Sequence, residues 1–312
     1  MIAWSRSRWR SIGAAALLAV LWSEAGLAAA SGPKGTTVHF GVVAEEANEP
    51  DRMLRTYATL LAEMRKRLAP KGIEVAPLVI TKDLNELSER LKQGQVDMII
   101  ESIFPTLVLQ EQSGRALSPE LAIVRRDQRE YHTVFFALRT SGLKSLEDLR
   151  GRTLVLQAER STSAFAVPRA ELAKHGIALA PAGQTGAPKG AAFYILAGAE
   201  LNQAIWVLNG QGDAGAFNDS DWARLPEKVR GELRAFHQTR PLLRGILSLR
   251  SSLAPETKRV CLEMLMGLHQ DASGQAALTS AAGITRFERL TAKDLADLGA
   301  WRLALKAGPP PP

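Results

Sequence analysis

The sequence predicts an α/β protein made of two lobes joined by a waist of two strands. Three observations predict it. Short β-rich runs alternate with helical periodicity along most of the 312 residues, the pattern of sheets flanked by helices and, where the turns repeat, of parallel strands. Removing an N-terminal leader leaves 282 residues, more than one simple domain usually holds. After a second, smaller α/β unit, the segment from Leu243 to Arg250 returns to strand character and a helix comes after it. That return is what a chain does when it crosses back into its first lobe.

The elements run in order. Thr37 to Val43 is a β-rich run. From Pro50 to Leu68, apolar residues at Met53, Leu54, Tyr57, Leu60, Leu61, Met64 and Leu68 recur in steps of three and four, which places them on one helix face. Glu74 to Ile80 is the next strand. Leu84 to Lys92 is a helix with Asp83 as N-cap and Gly94 past its end. Val96 to Ile100 is a strand and Phe104 to Gln112 a helix. In the second unit, Tyr131 to Arg139 and Thr153 to Gln157 are strands. Ser145 to Leu149 is a short helix, and Ser161 leads into another that runs to His175. Ala180 to Gly190, rich in Gly, Pro and Ala, reads as a loop. Glu200 to Leu208 is a helix, Asp213 to Phe217 a strand, and Pro255 to His269 a late amphipathic helix. Crossings between lobes are expected near Ala137 to Thr140 and near Phe236 to Arg244. This gives residues 31–138 plus 240–306 as the first lobe, 139–239 as the second, and 307–312 as a Pro-rich disordered tail.

Residues 1–30 have the order of an export signal: Arg6, Arg8 and Arg10, an apolar stretch from Ile12 to Trp22, then Ala28 to Ala30 before Ser31. The stretch is short for a membrane span. The expected location is therefore the periplasm, after cleavage of the leader. The full chain carries 39 basic and 32 acidic residues; losing three arginines and Glu24 leaves 36 against 31. A modest positive balance favours small anionic partners, and with no basic stripe nucleic acid is not an expected partner. Cys261 is the one cysteine, so no internal disulfide forms, and within Val260-Cys261-Leu262 it reads as a buried apolar residue. Five scattered histidines make no metal spacing, and neither a GxSxG elbow nor a P-loop is present. Ser141 to Lys144 matches SxxK but lies in a turn. No enzyme activity, metal or cofactor is expected.

The candidate site residues sit where strands end. Thr153 to Phe165 reads as a strand, a polar turn and a helix start. Backbone N–H groups at such a start have no helical partner and carry the positive end of the helix dipole, so an oxyanion gains several hydrogen bonds there. Ser161, Thr162 and Ser163 are the candidates, with plain helix capping as the competing reading of Ser161. Asn218 ends the strand after Gly212, at the edge where open α/β sheets receive ligands; a simple turn explains it equally. Glu101 and Ser102 end a strand of the first lobe, as Glu45 and Glu46 do after the first strand; two acidic clusters at strand ends suit a cationic portion of the ligand, with solvated loop carboxylates as the competing reading.

Taken together, these stretches resemble the phosphate/phosphite/phosphonate (PhnD-like) substrate-binding proteins of ABC importers, which have a type II periplasmic-binding fold. The resemblance rests on Gly41 to Val43, Leu54 to Leu61, Leu91 to Asp97, Tyr131 to Phe135, Ser141 to Thr153, Ser161 to Ser163 with Pro168, and Val207 to Asn218, in that order. It implies a monomeric protein that closes around a small anion and delivers it to a membrane permease, or reports it to a sensor kinase. It also implies that Ser161, Thr162 and Ser163 hold the phosphonate, with Tyr131 and Asn218 nearby. The chain departs from the family at Glu101 to Pro105, where an aromatic-bearing Gly-Pro turn is usual, and at Glu200-Leu201, where a His-acid pair is usual.

Overall fold

A computed structural model describes residues 35–44 and 49–306. The expected leader, Glu45, Glu46 and the 307–312 tail lie outside the described residues.

The chain opens with β1 (Thr36–Val38), β2 (Phe40–Val43), α1 (Glu49–Leu68), β3 (Ile73–Val75), β4 (Val79–Thr81), α2 (Leu84–Lys92), β5 (Met98–Glu101), α3 (Ile103–Gln112) and β6 (Leu117–Arg125). It continues with β7 (Glu130–Tyr131), β8 (Thr133–Leu138), β9 (Thr153–Leu156), α4 (Val167–Lys174), β10 (Leu179–Pro181), β11 (Ala192–Leu196), α5 (Glu200–Leu208) and β12 (Ala214–Asn218). The last part holds α6 (Asp219–Arg224), α7 (Glu227–Glu232), β13 (Leu233–Gln238), β14 (Leu242–Leu243), β15 (Ile246–Arg250), α8 (Pro255–Gly267), α9 (Ala272–Ser280), β16 (Ile284–Arg289) and α10 (Ala292–Lys306).

Two six-stranded sheets organise these elements. The first has the order β16-β6-β15-β5-β2-β4 and the second β10-β11-β9-β12-β8-β13. The strand–helix alternation suggested parallel sheets, but both are mixed. In the first sheet β4, β2 and β5 are parallel, and β15, β6 and β16 run antiparallel to their neighbours. In the second, β10, β11, β9 and β12 are parallel while β8 and β13 are antiparallel. The late strand β15 inserts between β5 and β6 of the first sheet, which is the predicted return.

The passage between sheets is a short antiparallel pair, β7 with β14, in which Tyr131 faces Leu242 and Glu130 faces Leu243. The sequence had put the outward crossing at Ala137 to Thr140, after the strand. The strand β8 already belongs to the second sheet, so the passage lies before it. The reason is local: after Arg125 the chain turns tightly, with Arg125 and Gln128 exchanging backbone hydrogen bonds of 3.0 Å and both Arg126 and Asp127 at positive φ, the geometry of a two-residue hairpin turn.

The helix α1 forms as its periodicity requires, burying Tyr57, Leu60, Leu61, Met64 and Leu68 on one face, while Leu54, expected there too, is exposed. Asp83 caps α2 by accepting from the Glu86 N–H at 2.7 Å. The expected strand Glu74 to Ile80 is two short strands in different sheets, β3 with β1 and β4 with β2. Each large sheet has its own apolar core: Phe40, Leu60, Met64 and Leu121 belong to the first, Phe135, Leu154, Leu156 and Leu172 to the second. Cys261 is fully buried in the first. A third cluster joins Ile103 and Leu107 of α3 to Val167 and Ala170 of α4, to Leu242 and Leu243 of β14, and to Trp301 of α10. The terminal helix therefore rests on the hinge and on α4 rather than on the first sheet alone. Lys174 and Arg240 lie over the Trp301 ring at 5.3 and 4.7 Å.

Candidate functional site

A cavity of about 640 Å³ opens between the ends of the two sheets. The chain reaches it from β9 through a turn that ends at Ser161, whose extended backbone makes it an N-cap. The first turn after this cap, Thr162–Ala166, is wider than an α-turn: the Ala166 N–H reaches back to the Ser161 carbonyl at 2.9 Å. The helix then tightens into α4, where Pro168 is tolerated because a first-turn N–H needs no partner. Such widened turns concentrate at functional sites.

Six of the seven sequence-predicted residues line this cavity: Ser102, Tyr131, Ser161, Thr162, Ser163 and Asn218. The seventh, Glu101, lines an adjoining chamber. Their roles differ. Ser161 does cap, its oxygen accepting from the Ala164 N–H at 3.2 Å, yet its hydroxyl proton is left to donate elsewhere. The Thr162 hydroxyl is engaged by the protein itself. It accepts from the Phe104 N–H at 3.1 Å and meets the Ser102 hydroxyl at 2.8 Å, so the starts of α3 and of the Thr162 turn are held together. Asn218 caps α6, accepting from the Asp221 N–H at 3.0 Å and the Ser220 hydroxyl at 2.7 Å. Ser163 takes the Thr133 hydroxyl on its carbonyl at 3.1 Å, and its side chain lies beside Tyr131. Burial pushes the Tyr131 phenol upward, keeping it neutral.

The sequence reading missed the arginines. Arg52 of α1, Arg160 of the β9 turn and Arg244 beside β14 all line the cavity. Arg160 was visible one position before Ser161. Arg52 and Arg244 gave no local signal, since only the fold brings α1 and the returning chain to the same cleft. Arg244 lies 5.0 Å over the Tyr131 ring, bonds to Gln128 and Ser220, and is held below its ordinary pKa first by burial. Two carboxylates share the lining. Glu49, in the first turn of α1, pairs with Arg52 and lies 3.6 Å from Arg160. Glu200 begins α5, and burial pushes its carboxyl above the usual range, with the charge of Asp221 adding to the effect. Three arginines against two carboxylates, together with the helix start, make a cavity suited to an anion.

Among the described residues no cluster of three His, Cys, Asp or Glu is placed to hold a metal ion, and no helix is long and apolar enough to cross a membrane. Ser141 donates to the Leu138 carbonyl at 2.7 Å in the turn after β8, outside the cavity lining.

This arrangement of two mixed sheets joined by a two-strand hinge, with a polar cavity between them, is the type II periplasmic-binding fold. The Xanthomonas citri protein XAC2383 has been solved bound to chloride ion and bound to ATP. The two structures match with TM-scores of 0.78 and 0.77 at 27% identity, over 86% and 87% of this chain and 97% of theirs. PhnD1 from Prochlorococcus marinus, in complex with methylphosphonate, matches at TM-score 0.59 and 18% identity, over 87% of this chain and 99% of that one. The family model described as the periplasmic phosphonate substrate-binding protein of ABC transporters matches residues 40–295. The chain belongs to that family.

Proposed function

We propose that the protein is exported to the periplasm by cleavage of its leader, captures a small oxyanion of the phosphonate, phosphate or phosphite kind in the cleft, and presents it to an ABC permease. On this reading residues 31–138 with 240–306 and residues 139–239 approximate two lobes that close about the β7–β14 pair. Ser161 and Ser163 donate to the anion, the free N–H groups of the Thr162 turn add to them, and Arg52, Arg160 and Arg244 supply charge. The protein acts as a monomer without catalysis or cofactor. The observation that carries the reading is the convergence of that helix start with three arginines in one cavity.

Closure is supported by contacts that already span the cleft: Ser102 with Thr162 and Glu49 with Arg160. Glu49 then acts as a resident counter-ion that an incoming anion competes with for the two arginines.

Calorimetric titration of the mature protein with methylphosphonate, phosphate, phosphite and sulfate tests the proposal. Saturable heat with at least one phosphorus oxyanion is expected, and silence with all four removes it. A second reading, a larger phosphorylated ligand, is favoured by one observation. The cavity of about 640 Å³ lies in the range of pockets that enclose drug-sized molecules, and the Xanthomonas citri relative was solved bound to ATP. Adding ATP to the same panel separates the two.

A further inference from the structure

We propose that the cleft contains a second anion-binding chamber, formed by Arg125, Arg244 and Tyr57, and that the ligand therefore carries two anionic groups. The proposal rests on the reading of the Ser161 turn as the seat of the first group. The chamber has a volume of about 290 Å³ and shares Arg52, Ser102 and Arg244 with the main cavity, so the two are continuous.

Its unbonded guanidinium nitrogens are what call for a ligand. Three arginines, Arg52, Arg125 and Arg244, line it with one carboxylate, Glu101; Glu49 pairs with Arg52 and Asp219 lies 4.0 Å from Arg244 outside the chamber. The Nε atoms of both Arg125 and Arg244 are buried without a hydrogen-bond partner. Buried charges are normally paired and fully hydrogen-bonded, because an uncompensated one costs several kcal/mol or more. Part of the Arg125 charge is answered through space by Glu101, but Glu101 does not bond to the orphaned Nε. The rest of the wall sets apolar Val42, Met53, Ile100 and Ile123 beside the hydroxyls of Thr56 and Ser102, and the apolar part strengthens any charge interaction made against it.

The cations are also held in place. Arg125 ends β6 and is fixed by the tight turn to Gln128, and the Gln128 side chain in turn accepts from Arg244. A phosphoryl or carboxylate group entering from the main cavity would meet two lining guanidinium groups, whose planar donor forks suit pairing with oxyanions. The ligand class is thus an organic or inorganic diphosphate, or a phosphate ester with a second acidic group.

Titration of the mature protein with methylphosphonate and, in metal-free buffer, with inorganic diphosphate and triphosphate tests this. Wild type is expected to bind the better polyphosphate at least about tenfold more tightly than methylphosphonate, the scale of one added charged hydrogen bond. Arg125→Gln is expected to erase that margin while leaving methylphosphonate affinity within about twofold, and Arg125→Lys to keep part of it. Thermal melting of each variant confirms that it is folded. If polyphosphate binds no better than methylphosphonate, or if Arg125→Gln leaves the margin intact, the second chamber is refuted while the first site stands. If no anion binds wild type, both fall together.

Discussion

At the scale of single residues, neighbouring hydroxyls in the turn have different work. Ser163 has its hydroxyl at the cavity beside Tyr131, whereas Thr162 spends its hydroxyl on Phe104 and Ser102. Ser163→Ala is therefore expected to weaken oxyanion binding by about 1–3 kcal/mol through a lost charge-assisted bond, read by titration on a variant whose melting curve shows that it is folded. Thr162→Ala removes a link across the cleft and takes from the buried Phe104 N–H its partner in the closed form. Its expected effect is a larger radius of gyration of the ligand-free protein in X-ray scattering, because the cost falls on closing rather than on folding. Asp294 makes a third case. It receives the Thr291 N–H at 2.7 Å and both terminal nitrogens of Arg129, and the Arg129 hydrogen bond, first among the causes, lowers its carboxyl from 3.8 to about 2. A depressed carboxylate stabilises the fold above the unfolded value near 4, and that contribution is lost as pH falls toward 2. At about 1.4 kcal/mol per unit the contribution is roughly 2 kcal/mol. Asp294→Asn should lower stability by that amount at pH 7, and the gap to wild type should narrow in melts at pH 3.

At the scale of elements, the cleft exists because several starts and ends coincide: α3 begins just after Ser102 and α5 at Glu200, β12 ends at Asn218, and the widened turn begins at Thr162. The close packing behind it depends on small residues. A Cβ on Gly215 of β12 would strike the Phe136 ring across the strand pair, and one on Gly41 of β2 would lie 2.7 Å from Val96. Gly215→Ala is expected to cost about 1–3 kcal/mol by overpacking, seen as a lower denaturation midpoint with the slope unchanged. The longest strand, β6, went unread in the sequence. Its Leu117 to Arg125 run contains Ser118, Pro119 and Glu120, residues that mark a turn when alternation is the guide. The strand forms because β15 and β16 pair with it from both sides, and the register shift near Pro119 spares the missing donor.

At the scale of the whole molecule, two separately packed sheets and a hinge of two short strands make rigid-body closure the low-cost motion. The cluster around Ile103, Val167 and Trp301 sits beside that hinge and is placed to persist while the far side of the cleft opens. A ligand at one hundred times its dissociation constant adds about 2.7 kcal/mol, so a rise in melting temperature of about 5 °C is expected. Scattering in the presence of such a ligand should show a more compact protein. A melting rise without compaction would mean that the closed form already dominates.

What could be read from the residues alone is what depends on local periodicity and local chemistry. The period of α1, the Asp83 cap and the strand–turn–helix at Ser161 each depend on a few neighbouring residues, and each was legible. So was the late return to the first sheet, because β15 comes after a recognisable second unit. What only the tertiary structure decided is which distant pieces share a wall. Arg52, Arg125, Arg160 and Arg244 come from α1, the end of β6, the turn after β9 and the hinge, and no spacing in the chain connects them. The assignment of Thr162 to the protein's own contacts was equally hidden, since a hydroxyl at a helix start looks the same whether its partner is an anion or the N–H of Phe104. Local geometry repeats with a fixed period along the chain, whereas the cleft is set by sheet order and by where the connection crosses, and these depend on contacts between residues far apart in sequence.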